Sequence, residues 1–483
     1  MKALLRSTVA RATTLYTFLS VLPALVNFLL LPLYLNYLSV ESYGYLALLN
    51  LFALLYSVFA SMQLNIAAGN QYFTLEEAEK TPYRHALFQT NLLSCVLMFL
   101  LFLALGPTFF RIYENDLPFA PLGALVLGTT MIRQINNLVM VFMKNEYRLK
   151  VIGRYALAIT LLNVCLQVIA LVFLKMGLAG IIKSTFLSTL VVTTVLLIQH
   201  RNWLWRKGTL LSGQAWRYAI MGLKFSLPFL PAVLVFQGQV AMDRIVLERY
   251  GTLAMVGQFA LLMTLLSIPN MFVDALIKAI RPKVLGFLKN GEEGKVRQLE
   301  RCYVGVVCFI FLGALVVGTH LHLVTDSPKY QEIGNYVLLG VAALLPGSLL
   351  YFKHLRIMFR DQSGAISRYS IIAAAIQFVL LWMLVPTYHV NGALIATGVA
   401  GLVNYALLAS NDASGNVFPH EFRLLRPALG LGVLLGIGAG MRCFDLSVSA
   451  TSITVFITGT ALLYLSLKSE WANLATWIRD PED

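Results

Sequence analysis

Apolar stretches about 20 residues long follow one another along almost the whole chain, and no other feature restricts its fold so strongly. Some fourteen can be marked off, at residues 14–37, 44–68, 86–108, 119–143, 153–174, 178–198, 222–247, 253–277, 302–324, 333–353, 366–386, 390–410, 427–441 and 449–467. A helix that crosses the hydrocarbon of a bilayer needs about 20 such residues, and in lipid a helix is one of two ways to satisfy every backbone polar group. The sequence therefore predicts an all-α, polytopic membrane protein of about fourteen transmembrane helices. With 58% hydrophobic and 12% charged residues among 483, against roughly 45–50% and about 25% in a soluble domain, a water-soluble enzyme is excluded.

The first run follows Lys2, Arg6 and Arg11. It is longer than the roughly 7–15 residues of a signal-peptide core and has no obvious small-x-small cleavage site, so it reads as a retained first helix. The net charge of +14 takes its meaning from placement. With the N-terminus in the cytoplasm, 29 of the 37 Lys and Arg fall on the cytoplasmic side, seven on the other, and Arg133 inside a span. By the positive-inside rule this asymmetry puts both termini in the cytoplasm, and it leaves a nucleic-acid footprint as the weaker explanation. Cys95, Cys165, Cys302, Cys308 and Cys443 show no CxxC or paired spacing. They suggest neither a disulfide framework nor a zinc site.

The sequence repeats itself. Leu22-Pro23-Ala24 is answered by Leu230-Pro231-Ala232, and Tyr43-Gly44-Tyr45-Leu46-Ala47 by Tyr250-Gly251-Thr252-Leu253-Ala254, at offsets of 208 and 207 residues. Arg154-Tyr155 with Asn163 is answered by Arg368-Tyr369 with Gln377 at offset 214, and Gly180 by Gly392 at offset 212. The period covers six spans, an even number, so both copies insert the same way up, related by an axis along the membrane normal. The expected organisation is an N-terminal six-helix lobe (1–200), a cytoplasmic linker (201–221), a C-terminal six-helix lobe (222–411), then two additional helices and a cytoplasmic tail (412–483). Parallel repeats of this kind place a substrate cavity between the lobes, as in a transporter.

Leu31-Pro32-Leu33-Tyr34-Leu35, then Leu38-Ser39-Val40-Glu41-Ser42-Tyr43-Gly44, together with Asp243-Arg244-Ile245-Val246-Leu247-Glu248-Arg249-Tyr250-Gly251, resemble the Wzx-type polysaccharide-biosynthesis flippases. These belong to the multidrug/oligosaccharidyl-lipid/polysaccharide exporter superfamily. The resemblance runs over the whole chain, and its motifs are helix-end and turn signatures. It implies translocation of an undecaprenyl-diphosphate-linked oligosaccharide from the inner to the outer leaflet of a bacterial inner membrane, for surface polysaccharides such as lipopolysaccharide. The implied partners are that substrate, membrane lipids, and polysaccharide polymerase and chain-length proteins. No cofactor, metal or nucleic acid is called for.

A charge within the bilayer costs about 2.5–3.5 kcal/mol on insertion scales and needs a reason. Arg133 lies about ten residues, roughly 15 Å, from Lys144, too deep for easy snorkelling. With Asn137 at i+4 it forms a polar face that could hold a diphosphate through bidentate hydrogen bonds; the bland alternative is a helix-bridging arginine. In the second lobe Asn270, Asp274, Lys278 and Arg281 form one stripe, although Lys278 and Arg281 can also snorkel. Asp274 and Asp243 are the two acids within spans and the candidate ion-coupling residues. Asp243 could equally be held by Arg244 or another helix. Gln63, Asn70, Asn27, Asn163 and Gln167 could bind sugar hydroxyls or simply bridge helices. His320-x-His322 lacks a third metal ligand. The first six spans hold no Asp or Glu, whereas a cationic drug calls for a buried carboxylate. The alternatives carried forward are therefore a cation or drug antiporter of the same superfamily and, more weakly, an integral-membrane glycan polymerase or ligase.

Overall fold

A computed structural model describes residues 30, 33–34, 36–73, 75–112, 119–146, 148–205, 213–320, 333–359, 363–412 and 455–461. Every element among them is helical. In chain order the α-helices are α1 (Val40–Ser61), α2 (Leu64–Asn70), α3 (Glu77–Ile112), α4 (Leu122–Asn145), α5 (Leu149–Val168), α6 (Gly177–Gln199), α7 (Arg201–Leu204), α8 (Gly213–Ser226), α9 (Leu230–Tyr250), α10 (Leu253–Lys289), α11 (Glu293–Thr319), α12 (Ile333–Phe359) and α13 (Ser363–Asp412), with short 3-10 turns at Gln71–Phe73 and Leu227–Phe229 and a π turn at Ile169–Phe173. Nine helices among the described residues are long and apolar enough to cross a membrane, ten if the bent pair Gly213–Phe229 and Val233–Gln239 is one span. The chain is a multi-pass membrane protein. The expected spans at 427–441 and, for the most part, 14–37 and 449–467 lie outside the described residues.

Local signals explain the helix ends. Ser39 caps α1, its hydroxyl accepting from the Ser42 N–H at 3.2 Å, and Thr252 caps α10 by accepting from Met255 at 3.3 Å. Glu77 and Glu79 occupy the first turn of α3 and Arg111 its last, in the sense the helix dipole favours. The expected span 44–68 is broken, because Met62 and Gln63 both take left-handed backbone angles (φ 43° and 55°). The spans at 366–386 and 390–410 run together as α13, interrupted at His389 (φ 48°, ψ −122°) just after Pro386.

The chain divides into two compact units, residues 4–241 and residues 242–483, with the boundary inside α9. In the first unit α1 packs on α3 and α4, α4 on α6, and α6 on α5. Phe52 stands 4.9–6.0 Å from the rings of Phe102, Phe109, Phe110 and Phe119, within the range of favourable aromatic pairs. Leu93, Leu97, Leu100, Leu101 and Leu105 of α3 are exposed. Their helical spacing makes one apolar face suited to lipid. Residues 201–221, expected as a linker, supply Trp203, Ala215, Tyr218 and Met221 to the cluster around Leu64, Tyr83, Leu138 and Phe142, because the periodic apolar residues of α8 bury against α2 and α3.

An ionic clamp joins α3, α4 and α7 in this unit. Glu146, just past the end of α4, pairs with Arg84 and with Arg148, whose Nε donates at 2.9 Å. It also accepts from the Trp203 indole at 3.0 Å and from the Tyr72 hydroxyl at 3.1 Å. The Arg84 and Arg148 guanidinium groups lie 4.4 and 4.6 Å from the indole centroid, a cation–π arrangement. Burial and the facing Glu146 push the Tyr72 hydroxyl up to about 12, so it stays protonated and donating.

In the second unit α12 packs on α10, α11 and α13. A Cβ at Gly340 would lie 2.6 Å from Leu266 Cδ1 and one at Gly318 would lie 2.7 Å from Val337 Cγ1; small residues here permit the close approach that holds helices together in lipid. A buried triad joins α11 to α12. Glu300 Oε1 meets Lys353 Nζ at 3.1 Å, and Oε2 accepts from Arg356 Nη1 at 3.2 Å.

Candidate functional site

On α4, Arg133 and Asn137 are both exposed, while Ile132, Ile135, Asn136 and Leu138 around them are buried. Neither side chain makes a hydrogen bond or ion pair with another described residue. Arg133 stands only within electrostatic range of Tyr155 on α5, whose hydroxyl bonds Thr193 of α6 at 3.1 Å. The i, i+4 pair thus presents a guanidinium fork and an amide on one open face.

The other candidates of the first unit do not join this face. Gln63 is buried in the break between α1 and α2, where its backbone and side-chain N–H groups both donate to Ser61 Oγ, at 3.3 and 3.2 Å. Asn70 is exposed and donates to the Ile66 carbonyl at 2.9 Å. Asn163 belongs to a second polar cluster. Its Oδ1 accepts from Gln167 Nε2 and Ser188 Oγ, both at 3.2 Å. Gln167 also donates to Thr185 Oγ1 at 3.2 Å and accepts from Tyr34 at 2.5 Å. Asn27 lies outside the described residues.

The second unit has a counterpart to that cluster. Asp243 of α9 is 6% exposed, and its Oδ1 accepts from Gln377 Nε2 at 3.0 Å. Thr397 Oγ1 reaches its two oxygens at 3.4 and 3.5 Å. The carboxylate is thus held by another helix, with Arg244 beside it as a neighbouring charge. Gln377 stands where the repeat places Asn163, and Thr185 and Thr397 differ by 212 residues, the offset of Gly180 and Gly392. The two units therefore carry related polar clusters, and only the second contains a carboxylate among the described residues. Thr397 was legible in the sequence through that offset, but a search for charges within spans passes over threonine.

Asn270, Asp274, Lys278 and Arg281 lie along α10, which runs unbroken to Lys289. Asn270 is engaged, its Oδ1 accepting from Ser348 Oγ at 2.7 Å. Asp274 is half-buried, within electrostatic range of the Tyr303 hydroxyl, and Arg281 is exposed. The Lys278 side chain and all of His322 lie outside the described residues.

No family model matches the sequence, and no curated protein matches it. Solved structures do share its fold. A lipid II flippase, MurJ, in an inward closed conformation is similar with a TM-score of 0.64 and 12% identity, over 94% of this chain and 99% of that one. An inward-facing multidrug resistance MATE family transporter of the MOP superfamily is similar at 0.58 and 14%, over 80% and 94% of the two chains. An outward-facing conformation of such a transporter gives 0.53 and 13%, over 85% and 97%. The chain shares the fold of these flippase and transporter structures.

Proposed function

We propose that the protein is a flippase that moves an undecaprenyl-diphosphate-linked oligosaccharide from the cytoplasmic to the outer leaflet of a bacterial inner membrane by alternating access, in surface polysaccharide biosynthesis. The observation that carries this reading is the open Arg133–Asn137 face on a helix of the first unit, whose apolar runs hold no Asp or Glu. A site with a fixed guanidinium and no carboxylate favours a diphosphate over a cationic drug. Lys278 and Arg281 supply further positive charge toward the cytoplasm, while Gln63, Asn70 and Asn163, which stand apart from the Arg133 face, are assigned to sugar hydroxyls only as polar groups of the first unit. A diphosphate with about two negative charges leaves an inside-negative cell downhill, gaining about 4–5 kcal/mol per 100 mV. The test is translocation in proteoliposomes, with a fluorescent polyprenyl-diphosphate oligosaccharide and a lipophilic cation supplied in parallel. Movement of the first and not the second is expected; transport of the cation alone would overturn the reading.

A second reading, a cation-coupled antiporter, is favoured by one observation, the buried Asp243. Within the flippase reading the same carboxylate serves ion coupling. Asp243 is preferred to Asp274 because it is buried and its neighbours Gln377 and Thr397 carry an amide and a hydroxyl oxygen that can turn to join the carboxylate around a small cation. Asp243→Asn should reduce the response of translocation to an imposed proton or sodium gradient about tenfold while the response to potential survives, and Asp274→Asn should leave both. Unchanged gradient dependence in the Asp243 variant would remove it from coupling.

A further inference from the structure

A cleft of about 710 Å³ opens on the first unit between α3, the end of α6 and α7, within the size range of small-ligand sites. Its lining is mixed: Phe88 and Leu92 of α3 with Leu197 and Leu204 are apolar, Arg201 and Asn202 are polar, and the Trp205 ring meets Phe88 edge-on at 6.3 Å. Arg201 and Asn202 are exposed, and neither side chain makes a hydrogen bond or ion pair with a described residue.

We propose that this cleft holds one anionic phospholipid, its acyl chain along Phe88, Leu92 and Leu197 and its phosphate at Arg201 and Asn202. The placement rests on the topology in which this end of α3 and α6 meets the cytoplasmic leaflet, the anionic surface that attracts Lys and Arg. Trp205, 40% exposed, stands at headgroup level, where indoles concentrate in membrane proteins. The polar wall is preformed. The Trp203 carbonyl accepts from Arg84 Nε and lies 3.0 Å from His85 Nε2, and its indole donates to Glu146, so the α7 segment is fixed on α3 and α4 before any lipid arrives. The clamp also carries two guanidinium groups, Arg84 and Arg148, against the Glu146 carboxylate. Its net positive charge, added to that of Arg201, complements a phosphodiester. A zwitterionic headgroup would bring its own cation against that charge.

The experiment is native mass spectrometry of the delipidated full chain titrated with phosphatidylglycerol or phosphatidylcholine. A preference of about fivefold for phosphatidylglycerol is expected. Arg201→Glu and the milder Arg201→Gln should erase it, Lys175→Glu at the other end of the bundle should preserve it, and Leu92→Trp, which fills the cleft, should weaken both lipids. Thermal melting establishes that each variant is folded. No preference in the parent protein, a preference that survives both Arg201 variants, or tighter retention of a polyprenyl diphosphate than of phosphatidylglycerol would overturn the proposal. The readout is binding alone, so failure of the flippase reading would leave it intact.

Discussion

Arg133→Ala is expected to slow translocation of a lipid-linked diphosphate about 100-fold, the equivalent of losing two charge-assisted hydrogen bonds at about 1.5 kcal/mol each. Arg133→Lys should recover about a tenth of the parent rate, since an ammonium supplies charge without the planar fork. Stability gives an independent control. A guanidinium in the bilayer costs about 2.5–3.5 kcal/mol, and this one forms no ion pair or hydrogen bond with a described residue, so the alanine variant should melt no lower than the parent. A helix-bridging arginine would give the opposite pattern, with lost stability and little specific loss of rate. Translocation at the parent rate by a folded alanine variant would refute the assignment.

Most of the fold was legible because a bilayer imposes one period and one length. Each of spans two to twelve of the sequence reading falls on described helices, with ends closely matched at 119–143, 153–174 and 178–198, while spans two and seven are each divided between two helices and several helices run well past the apolar stretch. The departures have local causes. The break at Met62–Gln63 contains neither Gly nor Pro, so nothing announced two consecutive left-handed residues. Residues 201–221 looked like a loop because their charges and the short α7 interrupt the hydropathy. Yet α8 is amphipathic, and its buried face belongs to the first unit's core.

The charged networks were hidden for a related reason. Hydropathy windows stop at the first charge, but the helices do not. α11 starts at Glu293, two turns before the apolar run at 302, and α12 continues to Phe359, beyond 353. Glu300, Lys353 and Arg356 were therefore counted as loop charges, and the positive-inside asymmetry absorbed the two cations. The Arg133–Asn137 face was readable because nothing but spacing and depth defines it. The Asp243 cluster was half readable. The acid stood out, while its partners Gln377 and Thr397 could be tied to it only by a fold that brings residues 134 and 154 positions apart together.

The Glu300 triad leads to the largest expected change in stability. Lys353 is fully buried, and Glu300 and Arg356 are 2% and 6% exposed, so water screens these charges poorly. Two cations share the carboxylate. Glu300→Gln therefore removes a negative charge that both cations face, and breaking a buried pair in this way costs about 3–5 kcal/mol. Lys353→Met behaves differently. It removes an ammonium whose desolvation had to be offset, puts a chain of similar volume in its place, and leaves Glu300 paired one-to-one with Arg356 at 3.2 Å, so it should change stability by less than about 1.5 kcal/mol. The two variants make one test by equilibrium unfolding of the purified protein in detergent. A large loss for Glu300→Gln with near-neutral Lys353→Met identifies the carboxylate as the electrostatic hinge-pin of α11 on α12. Equal losses in both would mean that packing of the long side chains, rather than charge balance, holds the two helices together.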